Sequence, residues 1–446
     1  MKRLAFIIII VLSFFTFSSN NLDAAMTDYC VVPPYVIQDA PPNVMIVLDT
    51  SGSMLNFAYF DGFQRDDCST IPSPCNDCTS SSNPCTGFDQ GYKYYGYFNP
   101  DYWYTYSSSV FVPAAPKSGT RPANSWDGNF LNWLTMRRVD VIRKVMAGGK
   151  STGSGANTRL LGKIADYAGR GIYKQIANAN DYTPYSGNKT FTFSTGGSAT
   201  SSFSVSGISG TFSVDVVVSP PVEGVLQRVV STRARLGLSF YRANNPTPHG
   251  GFVQVNVASG SLSSIVNQIN NDPSSIMGTT NTPLAETLWT VAGYFAQQAT
   301  IESGPGPMYG PSNNYSINNN ADPYNYGTGG SPRWTSCSKS FVLYITDGEP
   351  CADGNLPGTI SNYASGKSDY NCTGSSCPAV GSFPASSLNN PVCTAGDNVA
   401  GFEDVALWAH TIDLRNNPTL GVNNMSGIQN LTLYPVFAFG KGSTLL

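Results

Sequence analysis

Residues 43–53 read NVMIVLDTSGS, and this stretch decides the fold expected of the chain. The apolar run over Asn43–Leu48 follows two prolines and ends at Asp49. Short apolar runs bounded by turn residues are typical of strands that are buried on both faces of a parallel sheet. The stretch therefore predicts a buried β-strand whose end delivers one aspartate and two serines into a tight turn.

Similar runs recur along the chain, with helical patterns between them. Phe341–Ile345 and Leu433–Phe439 are predicted to be buried strands, and Arg235–Tyr241 with Phe252–Val257 forms a predicted strand pair. Apolar residues at helical spacing predict amphipathic helices that run from about Leu131 to Met146, from Leu262, from Leu284 and from Phe402. Strands that alternate with such helices predict an α/β fold with a doubly wound, mostly parallel sheet.

Four stretches interrupt this alternation, and we interpret 41–446 as one domain that carries them as insertions. Residues 186–219 alternate apolar and polar side chains, which predicts a small antiparallel β insertion. Residues 302–336 are rich in Gly, Asn, Tyr and Pro and are expected to form a loop. Residues 55–125 and 348–397 hold most of the cysteines, so we expect disulfide bonds to staple both insertions.

Five side chains with oxygen atoms are expected to meet at one edge of the sheet. Asp49, Ser51 and Ser53 follow the first strand, Asp347 follows another, and Thr282 stands just before a helix. Open α/β sheets bind ligands at the carboxyl ends of their strands. Carboxylate and hydroxyl oxygens suit hard cations, so the set predicts a site for Mg²⁺, Ca²⁺ or Mn²⁺. The structural alternative is a serine-rich turn in which Asp49 caps the following helix.

Together these elements resemble the von Willebrand factor A (vWA) family and its metal-ion-dependent adhesion site (MIDAS). In that family, two serine hydroxyls and a threonine hydroxyl ligate the metal, and the aspartates act directly or through water. An open coordination position accepts a carboxylate from the partner. The resemblance implies a vWA/Rossmann-like sheet and assigns these roles to the five residues above. It favours Thr282 over Thr280, because Thr282 directly precedes Pro283-Leu284 as in the family pattern.

Two longer segments carry a closer resemblance. Tyr94–Pro100 reads YYGYFNP, and Trp126–Asp140 reads WDGNFLNWLTMRRVD. With the metal motif and Phe437–Gly440, they are similar to the N-terminal half of the PilY/PilC-type tip-associated proteins of type IV pili. The segment from Trp126 is the more specific one. It identifies a family without marking a site, because a helix with an aromatic cap explains it structurally.

The resemblance implies a metal-dependent adhesion and assembly protein of type IV pili. Its implied partners are minor pilins at the pilus tip and a host or abiotic surface ligand whose acidic group reaches the metal. The alternative is a structural scaffold in which the metal only stabilises the fold. The β-propeller of the family does not follow here, and only a few residues follow the last predicted strand. We therefore expect a truncated product or a fragment that lacks a covering helix.

The start of the chain is typical of an export signal. Lys2 and Arg3 precede the apolar run Leu4–Phe17, and the small pair Ala24-Ala25 offers a cleavage position. The apolar run is shorter than the roughly 20 residues of a membrane-spanning helix, although an uncleaved anchor is the alternative. We predict a signal peptide over 1–25 and a mature protein in the periplasm or on the outer surface, associated with pili.

Cysteine usage agrees with export. The chain has 10 cysteines, an even number, which in an exported protein predicts disulfide bonds of unknown connectivity. The pair Cys75-x-x-Cys78 leaves a redox or zinc element as the alternative.

Several function classes are excluded by composition and missing motifs. A formal charge of −3 argues against a nucleic-acid partner. The chain has no Gly-Lys phosphate loop, so no nucleotide is expected, and it has no Gly-x-Ser-x-Gly turn. Its two histidines, His249 and His410, are expected in a turn and in a helix. We therefore predict a binding protein and not an enzyme.

Overall fold

The computed structural model describes a defined set of residues: 40–59, 78, 80–162, 171–193, 201–230, 233–242, 250–258, 260–271, 280–298, 314–327, 331–348, 350, 353, 356–357, 360, 363, 401–415 and 424–439. Some predicted features lie outside this set. They include the signal peptide at 1–25, His249, part of the predicted loop at 302–336 and most of the predicted insertion at 348–397. Seven cysteines also lie outside this set: Cys30, Cys68, Cys75, Cys351, Cys372, Cys377 and Cys393.

The described residues form strands and helices that we number in chain order. The strands are β1 (Asn43–Leu48), β2 (Tyr102–Ser107), β3 (Val110–Pro116), β4 (Ser125–Asp127), β5 (Ser151–Thr152), β6 (Arg159–Leu160), β7 (Ile172–Ile176), β8 (Lys189–Phe193), β9 (Ser202–Val205), β10 (Phe212–Ser213), β11 (Val216–Val217), β12 (Arg235–Tyr241), β13 (Gly251–Val255), β14 (Ser340–Thr346) and β15 (Leu431–Phe437). The helices are α1 (Gly128–Thr135), α2 (Arg138–Ala147), α3 (Leu262–Asn271), α4 (Leu284–Ala296) and α5 (Phe402–Thr411).

A five-stranded, mostly parallel sheet contains β1, the strand of the NVMIVLDTSGS stretch. Its order is β13-β12-β1-β14-β15. The strand β1 is central and runs parallel to both neighbours, β14 runs parallel to β15, and β13 pairs antiparallel with β12 at one edge. This arrangement confirms a mixed α/β protein with a mostly parallel sheet. The predicted strands lie within two residues of the observed ones.

Helices cover both faces of this sheet. Met45 and Val47 point from β1 into a core shared with α4 and α5. Ile46 and Leu48 point to the opposite face, where the core is shared with α2 and α3. All thirteen residues of α4 are buried, which explains why its sequence is apolar on nearly every side. On the edge strand β15, by contrast, Tyr434 is 55% exposed and Val436 is 43% exposed.

A second unit lies in the chain between β1 and β12. It contains a six-stranded sheet of order β4-β2-β3-β11-β6-β5 and an antiparallel four-stranded sheet of order β10-β9-β8-β7. Trp126 joins the two sheets, since its ring lies 5.7 Å from the ring of Phe111 and 5.9 Å from that of Phe203. The stretches that the sequence analysis treats as separate insertions, 55–125 and 186–219, therefore share one hydrophobic core.

The antiparallel sheet differs from the predicted insertion at both ends. Its first strand, β7, begins at Ile172, before the predicted start of the insertion. Its last strand, β10, ends at Ser213, because β11 pairs with β3 and β6 in the other sheet. The alternation of apolar residues is the same in both sheets, so the sequence pattern did not separate them.

The single helix predicted from about Leu131 to Met146 is wrong. The chain leaves the helix at Met136, which has an extended conformation, and starts α2 at Arg138. Backbone bonds with the segment after the metal motif replace the helical ones: Ala58 N donates to Met136 O at 2.9 Å, and Arg138 N donates to Asn56 O at 3.0 Å. The predicted end is confirmed, because Gly148 has a left-handed φ of 85°.

Two asparagines of α1 hold the tyrosine-rich segment, residues 92–100, which precedes β2. Asn132 Oδ1 accepts from Phe98 N at 3.0 Å, and Asn132 Nδ2 donates to Tyr94 O and to Phe98 O at 2.8 Å each. Asn129 makes the same kind of bracket one turn earlier, with Tyr94 N at 2.8 Å and Tyr92 O at 2.7 Å. The amide side chains of α1 thus make the backbone hydrogen bonds that a neighbouring strand would make with this segment in a sheet.

Disulfide bonds occur at the cysteines that the structure describes. Cys78 and Cys85 are bonded to each other with a Cα–Cα distance of 5.0 Å, and Cys337 is also disulfide-bonded. Within the described part of the chain, no helix combines the length and the apolar character needed to cross a membrane.

Candidate metal centre

Asp49 is buried at the carboxyl end of β1, where the register of β1 and β14 brings the ends of both strands level. Its Oδ1 accepts a hydrogen bond from Ser51 N at 2.7 Å. Its Oδ2 accepts from Thr346 Oγ1 at 2.7 Å and from Asp347 N at 3.2 Å. Asp49 therefore ties the loop after β1 to the loop after β14 through both carboxylate oxygens.

A chain of hydrogen bonds connects the two serines with the second aspartate. Ser51 Oγ and Ser53 Oγ lie 2.9 Å apart, and Ser53 Oγ donates to Asp347 Oδ1 at 2.6 Å. Ser51 and Asp347 are buried, while Ser53 is half-buried. The structure thus brings together four of the five residues that the sequence predicts: Asp49, Ser51, Ser53 and Asp347.

Thr282, the fifth predicted residue, lies next to this chain and is 5% exposed. A Cβ atom placed on Gly348 would lie 3.7 Å from Ser53 Oγ and 3.9 Å from Thr282 Oγ1, so both hydroxyls face the same small space. Gly348 lacks that atom, which leaves the space open between the three loops.

Thr280 has a different place. Gly52 N donates to Thr280 O at 3.3 Å, and Thr280 Oγ1 lies 3.2 Å from Thr50 Oγ1. Thr280 thus holds the backbone of the serine loop, with its hydroxyl directed to Thr50. The two threonines that the motif left as alternatives are therefore separated by geometry, and Thr282 is the one beside Ser53.

Arg138 and Thr346 belong to this site, and the sequence reasoning missed both. Arg138 Nη1 donates to Asp347 Oδ2 at 2.9 Å, and both side chains are largely buried. Arg138 begins α2, so it comes to the site through the break at Met136. Neither residue carries a local signal, because Arg138 is 209 positions from Asp347 and the role of Thr346 depends on a strand neighbour.

The electrostatics of the site are those of a negative cluster. Burial, together with the nearby Asp347 carboxylate, raises the pKa of Asp49 to about 7, although hydrogen bonds from Ser51 and Thr346 oppose the shift. Arg138 offsets part of the negative charge at Asp347.

The donor set is all oxygen. In the described residues no three His, Cys, Asp or Glu side chains lie together as a metal site, so a zinc-type centre is not formed by these residues. The set here contains two carboxylates and three hydroxyls, and such hard oxygen donors fit Mg²⁺, Ca²⁺ or Mn²⁺.

Comparison with known proteins relates the chain to type IV pilus proteins. Residues 85–216 match the family model described as the PilY1 homolog, small alpha/beta domain. This range covers most of the second unit and includes Trp126–Asp140, the segment with the most specific resemblance in the sequence.

A relative from Xylella fastidiosa, the "Type IV pilus biogenesis factor PilY1 homolog", is 39% identical over 69 residues. The alignment covers 14% of this chain and 5% of the length of that protein. No solved structure matches the chain.

Proposed function

We propose that the chain is an exported, pilus-associated binding protein whose larger unit is a von Willebrand factor A-type domain. The observation that carries this proposal is the convergence of Asp49, Ser51, Ser53 and Asp347, with Thr282 beside them, at the carboxyl ends of adjacent parallel strands. The strand order supports it. Numbered by their order in the chain, the five strands of this sheet lie side by side in the order 3-2-1-4-5, and the third, β13, is antiparallel to its neighbour. Doubly wound sheets bind ligands where the strand order reverses, beside the first strand.

Within this proposal, the three hydroxyls and the two carboxylates hold one divalent cation. Bound there, the cation supplies a positive centre that accepts a carboxylate from a partner protein or from a surface ligand. Asp49 and Thr346 keep the loops in register, and Ser53, the most accessible of the five residues, marks the side from which a ligand approaches. The similarity over 85–216 to a PilY1 homolog domain supports a pilus-associated setting for this binding, and minor pilins are the proposed neighbours.

Calorimetric titration of the oxidised, folded protein with Mg²⁺, Ca²⁺ and Mn²⁺ tests the metal centre. We expect one site of weak to moderate affinity, which Asp49→Ala abolishes and Ser53→Ala weakens. Asp89→Ala is the matched control, because Asp89 is an exposed aspartate outside the site. Equal binding by the wild type and Asp49→Ala, with both folded by circular dichroism, would sink the assignment.

The two threonines provide a sharper test of the geometry. Thr282→Val should weaken cation binding, since it removes the hydroxyl that faces Ser53. Thr280→Val should leave the affinity nearly unchanged, because the backbone oxygen of Thr280 makes the contact with Gly52. The reverse order of effects would show that the site is built around Thr280.

The alternative function is a scaffold whose metal only stiffens the fold. The burial of Asp49, Ser51 and Asp347 favours it, because buried ligands contribute to stability directly. Pull-down of minor pilins with and without a chelator separates the two functions. The adhesion function requires loss of binding while the circular dichroism spectrum stays native, whereas a scaffold loses binding only together with its fold.

A further inference from the structure

A groove on the second unit lies apart from the metal centre. It has a volume of about 660 Å³ and is lined by the tyrosine-rich segment, by residues of β2 and β3, by Lys144 of α2 and by residues 217–219 at the end of β11 and just after it. None of the five candidate metal ligands lines it. Grooves of roughly 300–1,000 Å³ with a few polar groups are typical of sites for small ligands.

One wall of the groove is a rigid aromatic surface. The ring of Tyr95 is 48% exposed, and its backbone belongs to the segment that Asn129 and Asn132 hold in place. Tyr95 O also accepts a hydrogen bond from Tyr59 OH at 2.7 Å. The backbone that carries the exposed ring is thus fixed before any ligand arrives, which lowers the entropic cost of binding.

The groove also contains a positive charge without a described counter-ion. Lys144 Nζ lies 5.8 Å from the centroid of the Tyr95 ring and forms no ion pair with any described carboxylate. Lys93, at the rim, differs because it pairs with Asp101 at 2.9 Å. Burial, followed by the nearby Arg228 guanidinium, lowers the pKa of Lys144 to about 8. A basic residue in the last turn of α2 is favourable for the helix, but this does not explain why Lys144 is half-buried.

We propose that this groove binds an acidic saccharide, with the sugar carboxylate on Lys144 and the apolar face of the ring on Tyr95. Apart from Lys93, which pairs with Asp101, the remaining polar side chains at the groove are neutral hydrogen-bonding groups, among them Asn99 and Ser219, which suit hydroxyls. A carboxylate would supply the missing counter-charge through a charge-assisted hydrogen bond. A volume of about 660 Å³ lies within the range of roughly 300–1,000 Å³ that is typical of sites for small ligands. This site goes beyond the proposed metal-dependent function and requires no metal.

The test is a titration of the folded chain with trigalacturonic acid in the presence of EDTA, so that the metal centre cannot contribute. Maltotriose serves as the neutral saccharide, and a hexaglutamate peptide serves as the acidic ligand without sugar rings. Lys144→Met keeps the length and packing of the side chain but removes the charge. Tyr95→Ala removes the exposed ring, and Lys189→Gln on β8 is the control for loss of a lysine elsewhere.

We expect trigalacturonic acid to bind at least about tenfold more tightly than maltotriose, because one charge-assisted contact is lost with the neutral ligand. Lys144→Met and Tyr95→Ala should each weaken binding by about tenfold, and Lys189→Gln should not. The proposal is overturned if trigalacturonic acid does not bind the wild type. It is also overturned if both groove variants bind trigalacturonic acid as tightly as the wild type does. Binding of hexaglutamate with equal or higher affinity would also overturn it and would assign the groove to an acidic peptide. Because EDTA is present throughout, failure here leaves the metal-centre proposal untouched.

Discussion

Asn132 offers a direct test of how the second unit is held together. Its side chain is fully buried and makes hydrogen bonds to Tyr94 O, Phe98 O and Phe98 N. Asn132→Ala removes these bonds while keeping α1 intact, because alanine is the better helix former. The change therefore separates the bracket on the tyrosine-rich segment from helix stability.

The expected magnitude follows from the bond count. Each buried hydrogen bond contributes about 0.5–1.5 kcal/mol net, so the loss of these bonds costs roughly 1.5–4.5 kcal/mol. The gain in helix propensity from Asn to Ala offsets roughly 0.5 kcal/mol of this loss. We expect the free energy of unfolding of the second unit to fall by about 1–4 kcal/mol, a large share of a typical total of about 5–15 kcal/mol.

Urea denaturation followed by tryptophan fluorescence measures the change, since Trp126 and Trp133 are buried in the same core. Hydrogen exchange adds a local measurement, because the Phe98 amide loses its acceptor and should exchange faster. Asn267→Ala is the control, as Asn267 lies on the exposed side of α3. A free energy of unfolding within about 0.5 kcal/mol of the wild-type value, with unchanged exchange at the Phe98 amide, would refute the bracket as a stabilising element.

Three further outcomes are expected. Arg138→Gln should strengthen divalent-cation binding by about tenfold, because it removes a positive charge from Asp347; weaker or unchanged affinity in calorimetry would show that Arg138 does not compete with the cation. For Lys144, whose pKa falls from 10.5 to about 8 on folding, the unfolded chain binds more protons between those pH values. Unfolding free energy should therefore rise from pH 8 to 10.5 relative to Lys144→Met, and parallel urea-derived curves would contradict this. Thiol titration of denatured, unreduced protein should find few free thiols. Four or more free thiols together with stoichiometric zinc would instead indicate a metal site formed by the cysteines between Cys68 and Cys85.

The central sheet was largely predictable because its signals are local. The apolar runs of β1 and β14 are short, bounded by turn residues and mostly buried on both faces. Consecutive apolar residues in the sequence therefore already indicate a buried strand. Asp49, Ser51 and Ser53 lie within five positions, and their proximity follows from one turn. The position of Asp347 followed from the rule that parallel strands end at the same edge.

The second unit was predictable only in part. Its alternating strands showed antiparallel structure, but not that 55–125 and 186–219 would share a core around Trp126. For the aromatic segment WDGNFLNWLT, the sequence predicts only a helix with an aromatic cap. The structure adds that Asn129 and Asn132 act as hydrogen-bonding brackets for a remote segment, which no spacing in the sequence reveals.

By itself, the sequence determined the α/β class, the strands of the central sheet and the aspartate–serine turn that begins the candidate site. Only the tertiary structure decided that the helix breaks at Met136, that Thr280 O accepts the hydrogen bond from Gly52 N in the serine loop, and that Arg138 contacts Asp347. The physical reason is the same in each case. These outcomes depend on backbone pairing and side-chain contacts between segments far apart in the chain, and such contacts are set by register and packing, not by local propensity.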